Sequence, residues 1–311
     1  MKINRRDFFK KTAAFGGSLA FGYLGGDARK AFAAEKNRVR ADCFAMLTDL
    51  TACVGCRSCE RACVRANKMP MRKVGFYSDI SVYKEKRRPD AQALTVVNSY
   101  ENRKWANPVY RKIQCNHCIE PACASACLVG ALKKTPEGPV IYDEDLCIGC
   151  RYCMTACPFY IPAFDYSNAT SPAIKKCTMC YPRIVNGMVP ACAEACSVQA
   201  ITFGKRSKLI KFARERIRTR PDRYIDHIYG EHEVGGTDWL YLSGVPFEQL
   251  GFPMDLKTIP YPEFTREFLT AVPFVLVTWP ALLGGFSIWA RRGKDPLENQ
   301  TSTKEKEVAK K

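Results

Sequence analysis

Four groups of cysteines carry the chemistry of this chain. Cys147, Cys150, Cys153 and Cys157 stand in the run C-I-G-C-R-Y-C-M-T-A-C, with Pro158 behind them. Three thiols recur at every third residue and a fourth follows four residues later. This C-x2-C-x2-C-x3-C-P spacing is one that holds cubane iron–sulfur clusters. A short loop wrapped round a cube presents three thiolates to three irons. It has by then turned into a helix, so its fourth cysteine serves a neighbouring cluster. Cys53, Cys56, Cys59 and Cys63 repeat the spacing, Cys115, Cys118, Cys123 and Cys127 widen one gap, and Cys177, Cys180, Cys192 and Cys196 widen it further. Sixteen of the seventeen cysteines thus fall in four sets of four, leaving Cys43 over.

Cysteine at this density means metal, disulfides or both, and three histidines are too few to be the main ligands. Disulfide staples serve small secreted domains with small cores, whereas 311 residues can hold one large or two small domains. Zinc sites use paired C-x2-C elements without a third cysteine at the same step and a fourth beyond it. The expected cofactors are therefore four [4Fe–4S] clusters. The formal charge of +17 suggests nucleic acid, but its distribution argues otherwise. Residues 1–33 carry seven Lys/Arg against two Asp/Glu, and residues 291–311 carry seven against four, which leaves +9 on the body. Each oxidised cubane with four thiolates carries about −2, so a loaded body is near neutral and no nucleic-acid partner is expected.

The elements that must position these thiols are short. Asp42 to Leu50 reads as an apolar strand feeding the first loop, with Cys43 on it as a buried small residue. Between Cys127 and Cys147 the chain reads strand, turn at Pro136-Glu137-Gly138, strand, which is the layout of a two-cluster ferredoxin. That layout pairs Cys115, Cys118 and Cys123 with Cys157, and Cys147, Cys150 and Cys153 with Cys127. By exclusion, Cys53, Cys56 and Cys59 join Cys196, and Cys177, Cys180 and Cys192 join Cys63. The expected fold is α+β, with two nested two-cluster ferredoxin-like units over residues 34–206.

Residues 64–114 form a basic insertion, and both a partner-docking surface and a solvated excursion fit it. His117 lies within a complete set of four cysteines, which makes it a nearby hydrogen-bond donor or a packing residue. Arg151, Tyr152, Lys175 and Lys176 flank ligands and either tune potential or sit at the surface. An extension at 207–263 begins with a helix capped by Ser207. Its apolar face is Leu209, Phe212, Ala213 and Ile217; its basic face (Lys208, Lys211, Arg214, Arg218) suits solvent, acidic lipid or a partner. His227 and His232 have no evident metal partners, and Trp239 to Ser243 reads as a strand.

Both termini carry address information. Asn4-Arg5-Arg6-Asp7-Phe8-Phe9-Lys10, a Gly-rich apolar stretch and Ala31-Phe32-Ala33 occur in the order of a twin-arginine signal peptide over 1–33. Phe268 to Ala290 contains no charge and is long enough to span a bilayer, so residues 264–292 are expected to anchor the chain. Arg291, Arg292 and Lys294 follow, placing the C-terminal tail 293–311 in the cytoplasm and the cluster domain in the periplasm.

With these residues in place the chain resembles the four-cluster ferredoxin-type subunits of membrane-bound respiratory oxidoreductases, such as the beta subunits of formate, dimethyl sulfoxide and polysulfide enzymes. It is most similar to the HybA type of uptake hydrogenase, through its own signal, its single anchor and the stretch Tyr229 to Phe247. Only Cys157 among the fourth cysteines precedes a proline, which does not affect ligation. The resemblance implies an electron wire without catalytic residues, linking a catalytic subunit to an integral membrane, quinone-reactive subunit. The catalytic partner it implies is a nickel–iron hydrogenase, with a molybdopterin enzyme as the alternative. A cluster that binds substrate directly needs a missing ligand, and none is missing.

Overall fold

The computed structural model describes residues 43–73, 75–102, 105, 107–167 and 173–292. The signal peptide read at 1–33 and the tail read at 293–311 lie outside them. β1 (Phe44–Asp49) leads into the first cysteine loop and α1 (Ser58–Ala66), and the hairpin of β2 (Val96–Tyr100) and β3 (Val109–Ile113) follows. The second loop carries α2 (Ala122–Ser125); β4 (Leu132–Lys134) and β5 (Val140–Tyr142) form the hairpin before the third. Then come α3 (Tyr152–Ala156), β6 (Ala163–Asp165), β7 (Ala173–Lys175), α4 (Tyr181–Val185) and α5 (Ala191–Glu194). β8 (Ile201–Lys205), α6 (Arg206–Thr219), β9 (Trp239–Leu242) and the long α7 (Tyr261–Arg292) complete the chain order.

β1 is the middle strand of a three-stranded sheet. It pairs antiparallel with β8, Met46 opposite Phe203, and parallel with β9, Met46 opposite Trp239. Side chains alternate across a strand. Ala45, Leu47, Leu240 and Leu242 therefore face Leu209 and Ala213 of α6, and Tyr224 and Ile228 from the segment after that helix join the same cluster. Met46, Trp239 and Tyr241 face the other way, into a core that includes Cys59, Cys115, Cys157, Cys177 and Cys192. The sheet thus shields the cysteine loops from one side.

α6 starts one turn-step earlier than expected. Its N-cap is Lys205, not Ser207, and no side chain caps it. Arg206 N–H already donates to the Cys43 carbonyl at 2.9 Å, continuing the β1–β8 ladder, and its guanidinium donates to Thr237 and Glu231 carbonyls. Ser207 is left inside the first turn. Phe212 is 41 % exposed, and the Arg216 guanidinium lies over its ring at 4.4 Å. The buried stripe is Leu209 and Ala213 with Ile210 and Ile217 beside them. Leu209→Ala should cost about 2–5 kcal/mol, the usual range for an emptied core leucine, measured as a lower thermal midpoint.

Residues 64–114 divide in two: the described residues from 65 to 93 are exposed or half-buried, and the hairpin after them is packed inward. The β2–β3 hairpin buries Val96, Val97, Val109, Lys112 and Gln114. Glu60 of α1 holds it down: its carboxylate accepts from Arg57 at 3.1 Å, Arg87 at 2.6 Å and the Val97 amide at 2.6 Å. The charge that reads as surface is therefore spent internally, as burial of ions requires.

From Pro262 onward the chain forms a second unit. α7 has 32 residues, includes Pro273 and Pro280, and exposes its apolar side chains. It is long and apolar enough to cross a membrane.

Candidate iron–sulfur sites

The cysteine loops repeat in pairs. The first and third are C-x-G-C-R-x-C, and their backbones match: Gly55 and Gly149 have φ of +72° and +69°, and Arg57 and Arg151 have φ of +58° and +62° and cap α1 and α3. These left-handed steps curl the chain back over its own sulfurs, so that Gly149 N–H donates to Cys147 Sγ at 3.4 Å. Gly55 also has no room for a side chain, since a Cβ would meet the Tyr110 ring at 2.5 Å. Gly55→Ala should therefore strip the first loop of its cluster, read as about four fewer irons per chain.

The second and fourth groups share the run P-A-C-A-x-A-C, from Pro121 to Cys127 and from Pro190 to Cys196. In both, proline occupies the N-cap of a single-turn helix, α2 or α5, which presents Cys123 or Cys192 inward. In the fourth group Met179 N–H donates to Cys177 Sγ at 3.3 Å, and Met179 and Cys180 are left-handed. Each tight loop thus has one wide partner, an internal repeat hidden by the different gap lengths.

All seventeen cysteines are free thiols. Burial raises the Cys53 thiol to about 11, with Cys196 and Cys56 beside it adding to the rise. Burial raises Cys63 well above the ordinary thiol value, reinforced by Cys177, Cys192 and Cys180. The same holds for Cys118, with Cys157, Cys115 and Cys123 as its neighbours. Cys153 is pushed up to about 11 by burial, then by Cys127, Cys147 and Cys150. The thiols that act on one another in this way come from more than one group of the sequence. Thiols held protonated in this way must lose their protons to bind iron, so loading is coupled to proton release.

The donor sets fit cubanes. One small pocket is lined by Cys63, Cys177, Cys180 and Cys192, with Asn67, Thr95, Lys112, Thr178 and Met179 completing its wall. Such a cluster supplies one-electron chemistry; the protein supplies thiolates, inward amides and a dry enclosure.

Some cysteines also act electrostatically on thiols of another group. Cys59 feels Cys192, Cys177 feels Cys115, and Cys123 feels Cys153. Cys56 and Cys150 are exposed, whereas Cys63, Cys115, Cys123, Cys157, Cys177 and Cys192 are buried. Val54 and Val198 are exposed close in sequence to Cys53 and Cys196, and Leu146, Ile148 and Tyr152 close to Cys147 and Cys153.

The flanking residues sort themselves by burial. His117 is fully buried, with φ of +48°; its Nδ1 accepts from the Val140 amide at 2.9 Å, while its Nε2 has no partner among the described residues. Burial holds it well below the ordinary histidine range, aided by Lys176 and Lys134. An acceptor at Nδ1 leaves a hydrogen on Nε2, within the second cysteine group. Lys176 is buried and donates to the Val140 and Cys177 carbonyls, whereas Lys175 is half-buried beside Glu144 and Arg151 and Tyr152 are exposed. Cys43 donates to Asp238 Oδ1 at 3.2 Å and belongs to none of the sets. His227 is bound to Glu233 at 2.8 Å, and exposed His232 lies 3.8 Å from Glu231. Two residues escaped the sequence reading. Asp238 is a buried carboxylate that takes Lys134 at 2.5 Å, and Lys112 is a buried lysine three residues before Cys115. Alternation along Val109 to Ile113, which puts Lys112 on the face of Tyr110 and Gln114, was the available signal.

Two matches to the 4Fe-4S dicluster domain family cover residues 52–131 and 106–206. The hydrogenase-2 operon protein HybA of Escherichia coli is 36% identical over 289 residues, covering 82% of this chain and 86% of that protein. The chain belongs to the HybA-type iron–sulfur electron-transfer subunits. A HybA-type chain is also similar to the iron-sulfur subunit of the nitrate-inducible formate dehydrogenase of Escherichia coli, here 33% identical over 224 residues and covering 68% of this chain and 73% of that one. A protein of Nitratidesulfovibrio vulgaris is 51% identical over 269 residues, 86% of this chain and 72% of its own length. The HybA-type chain is thus an iron–sulfur electron-transfer subunit of an oxidoreductase.

Proposed function

We propose that the chain is a four-cluster electron wire of the periplasmic face of the inner membrane. The clusters are four [4Fe–4S] cubanes, held by Cys53, Cys56, Cys59 and Cys196; by Cys63, Cys177, Cys180 and Cys192; by Cys115, Cys118, Cys123 and Cys157; and by Cys127, Cys147, Cys150 and Cys153. The observation that carries this reading is four complete groups of four cysteines, half of these thiols buried and Cys56 and Cys150 exposed; we read them as a series from the Cys53 set through the Cys63 and Cys115 sets to the Cys147 set. Buried inner sets keep electrons from stray oxidants, and exposed ends let redox centres on other chains approach. The surface apolar residues beside each end suit docking.

One end takes electrons from a catalytic subunit and the other passes them to an integral membrane subunit that reduces quinone. Similarity to a hydrogenase-2 operon protein supports a nickel–iron hydrogenase as the catalytic partner. Similarity to a formate dehydrogenase subunit supports the second reading, a molybdopterin enzyme. The twin-arginine signal supports export of the folded, loaded chain, and α7 supports its anchoring. Gentle detergent extraction followed by mass spectrometry separates the partners. A co-purifying nickel–iron subunit is expected; a molybdopterin subunit keeps the wire and replaces the partner.

A further inference from the structure

Lys112 is only 2 % exposed, on β3 of the hairpin that crosses the cysteine core. Its Nζ donates to Thr95 Oγ1 at 2.8 Å and Gln114 Oε1 at 2.9 Å, and lies 4.4 Å over the Trp239 ring. All three partners are neutral, and among the described residues no carboxylate pairs with it. A buried ammonium without a counter-ion is costly. The other cations of the core are spent differently: Lys134 is paired with Asp238, and Lys176 with backbone carbonyls. Lys112 instead walls the cavity formed by Cys63, Cys177, Cys180 and Cys192, and its charge also acts on Cys59 and Cys53 of the next set.

We propose that Lys112 is a potential-setting positioning residue: a fixed buried cation whose counter-ions are the two clusters on either side of it, and which raises the reduction potentials of both. The inference rests on the cluster reading above. A cubane with four thiolates goes from about −2 to about −3 when it accepts one electron from the preceding carrier. A cation at short range in a dry site stabilises the more negative form, so the reduced state gains more than the oxidised one.

The test is a reductive titration followed by electron paramagnetic resonance on the full chain extracted with its partners, with iron counted on each sample. Lys112→Gln removes the charge. Gln114→Glu retains the lysine but sets a carboxylate against it, and the Tyr241 hydroxyl, now 2.5 Å from Gln114 Nε2, can turn to donate to the new group. Both variants should move the same two of four components to more negative potential by tenfold or more in the reduction equilibrium, about 59 mV for one electron. The component from the Cys127, Cys147, Cys150 and Cys153 set should move least, and Lys112→Arg should keep all four near their original values. Four intact components with no movement, or a uniform movement of all four, would overturn the proposal while leaving the wire standing. Loss of clusters in both neutralised variants alongside full loading of Lys112→Arg would also overturn it, by making the charge an assembly requirement instead. Fewer than four components in the unaltered protein would sink the cluster reading first.

Discussion

Cys157→Ser should remove the cluster held by Cys115, Cys118 and Cys123 and spare the one held by its own loop. Cys157 follows Cys147, Cys150 and Cys153 in sequence, yet α3 intervenes and ends at Cys157, which has left the helix with extended backbone (φ −80°, ψ 113°). Its buried thiol lies beside Cys115, and among the sulfurs it is Cys157 that acts most strongly on Cys118. The amides of Ile161, Phe159 and Tyr160 also act on it, partly offsetting its burial. Serine there presents a harder and less acidic donor, and a cluster with three thiolates loses its corner iron or fails to assemble. The expected result is one to four fewer irons per chain, about four per cubane at most. One resonance component should disappear, different from the one removed by Cys150→Ser. If the two variants remove the same component, the sets follow the chain order and the nested pairing is wrong.

Asp238→Ala should cost about 3–5 kcal/mol, the scale for removing one partner of a buried ion pair. Asp238 is fully buried at the start of β9 and takes Lys134 Nζ at 2.5 Å, the Cys43 thiol at 3.2 Å and, at longer range, Arg206 Nε at 3.8 Å. Lys134 belongs to the β4–β5 hairpin and also donates to the His117 carbonyl at 2.9 Å. One carboxylate therefore fastens the hairpin between the second and third cysteine groups to the central sheet. Gly138 fits the same contact closely, because a Cβ on it would meet the Phe44 carbonyl at 2.5 Å. Alanine leaves Lys134 and Arg206 facing each other without an anion. The thermal midpoint of the loaded protein should fall by about 10 °C, and by clearly less for Asp238→Asn, which keeps an acceptor. A midpoint within about 2 °C of the unaltered protein would show that water or another acceptor takes over.

The ligands were legible because a cluster must take three thiols from one short loop, which writes its geometry into local spacing. The strand, turn and strand between Cys127 and Cys147 were legible too, and they form the β4–β5 hairpin. Trp239 to Leu242 could be read as a strand, but its parallel pairing with β1 could not. That pairing joins residues nearly two hundred positions apart and depends on which face each strand presents to the cysteine core. Charge was the poorest guide. Nothing in the sequence singled out Arg57, Glu60, Arg87 or Lys112, since density of charge carries no information about which ions will find partners inside. Ser207 misled for a related reason: it is a good cap, but the ladder from β8 had already fixed the backbone at Arg206.

The central claim is four cubanes in one chain. Iron and acid-labile sulfide counted on the anaerobically purified, unaltered protein, with a reductive titration of the same sample, tests it most directly. About sixteen irons, about sixteen sulfides and four one-electron components are expected. Tightly bound zinc with little iron, or iron without sulfide, would contradict it.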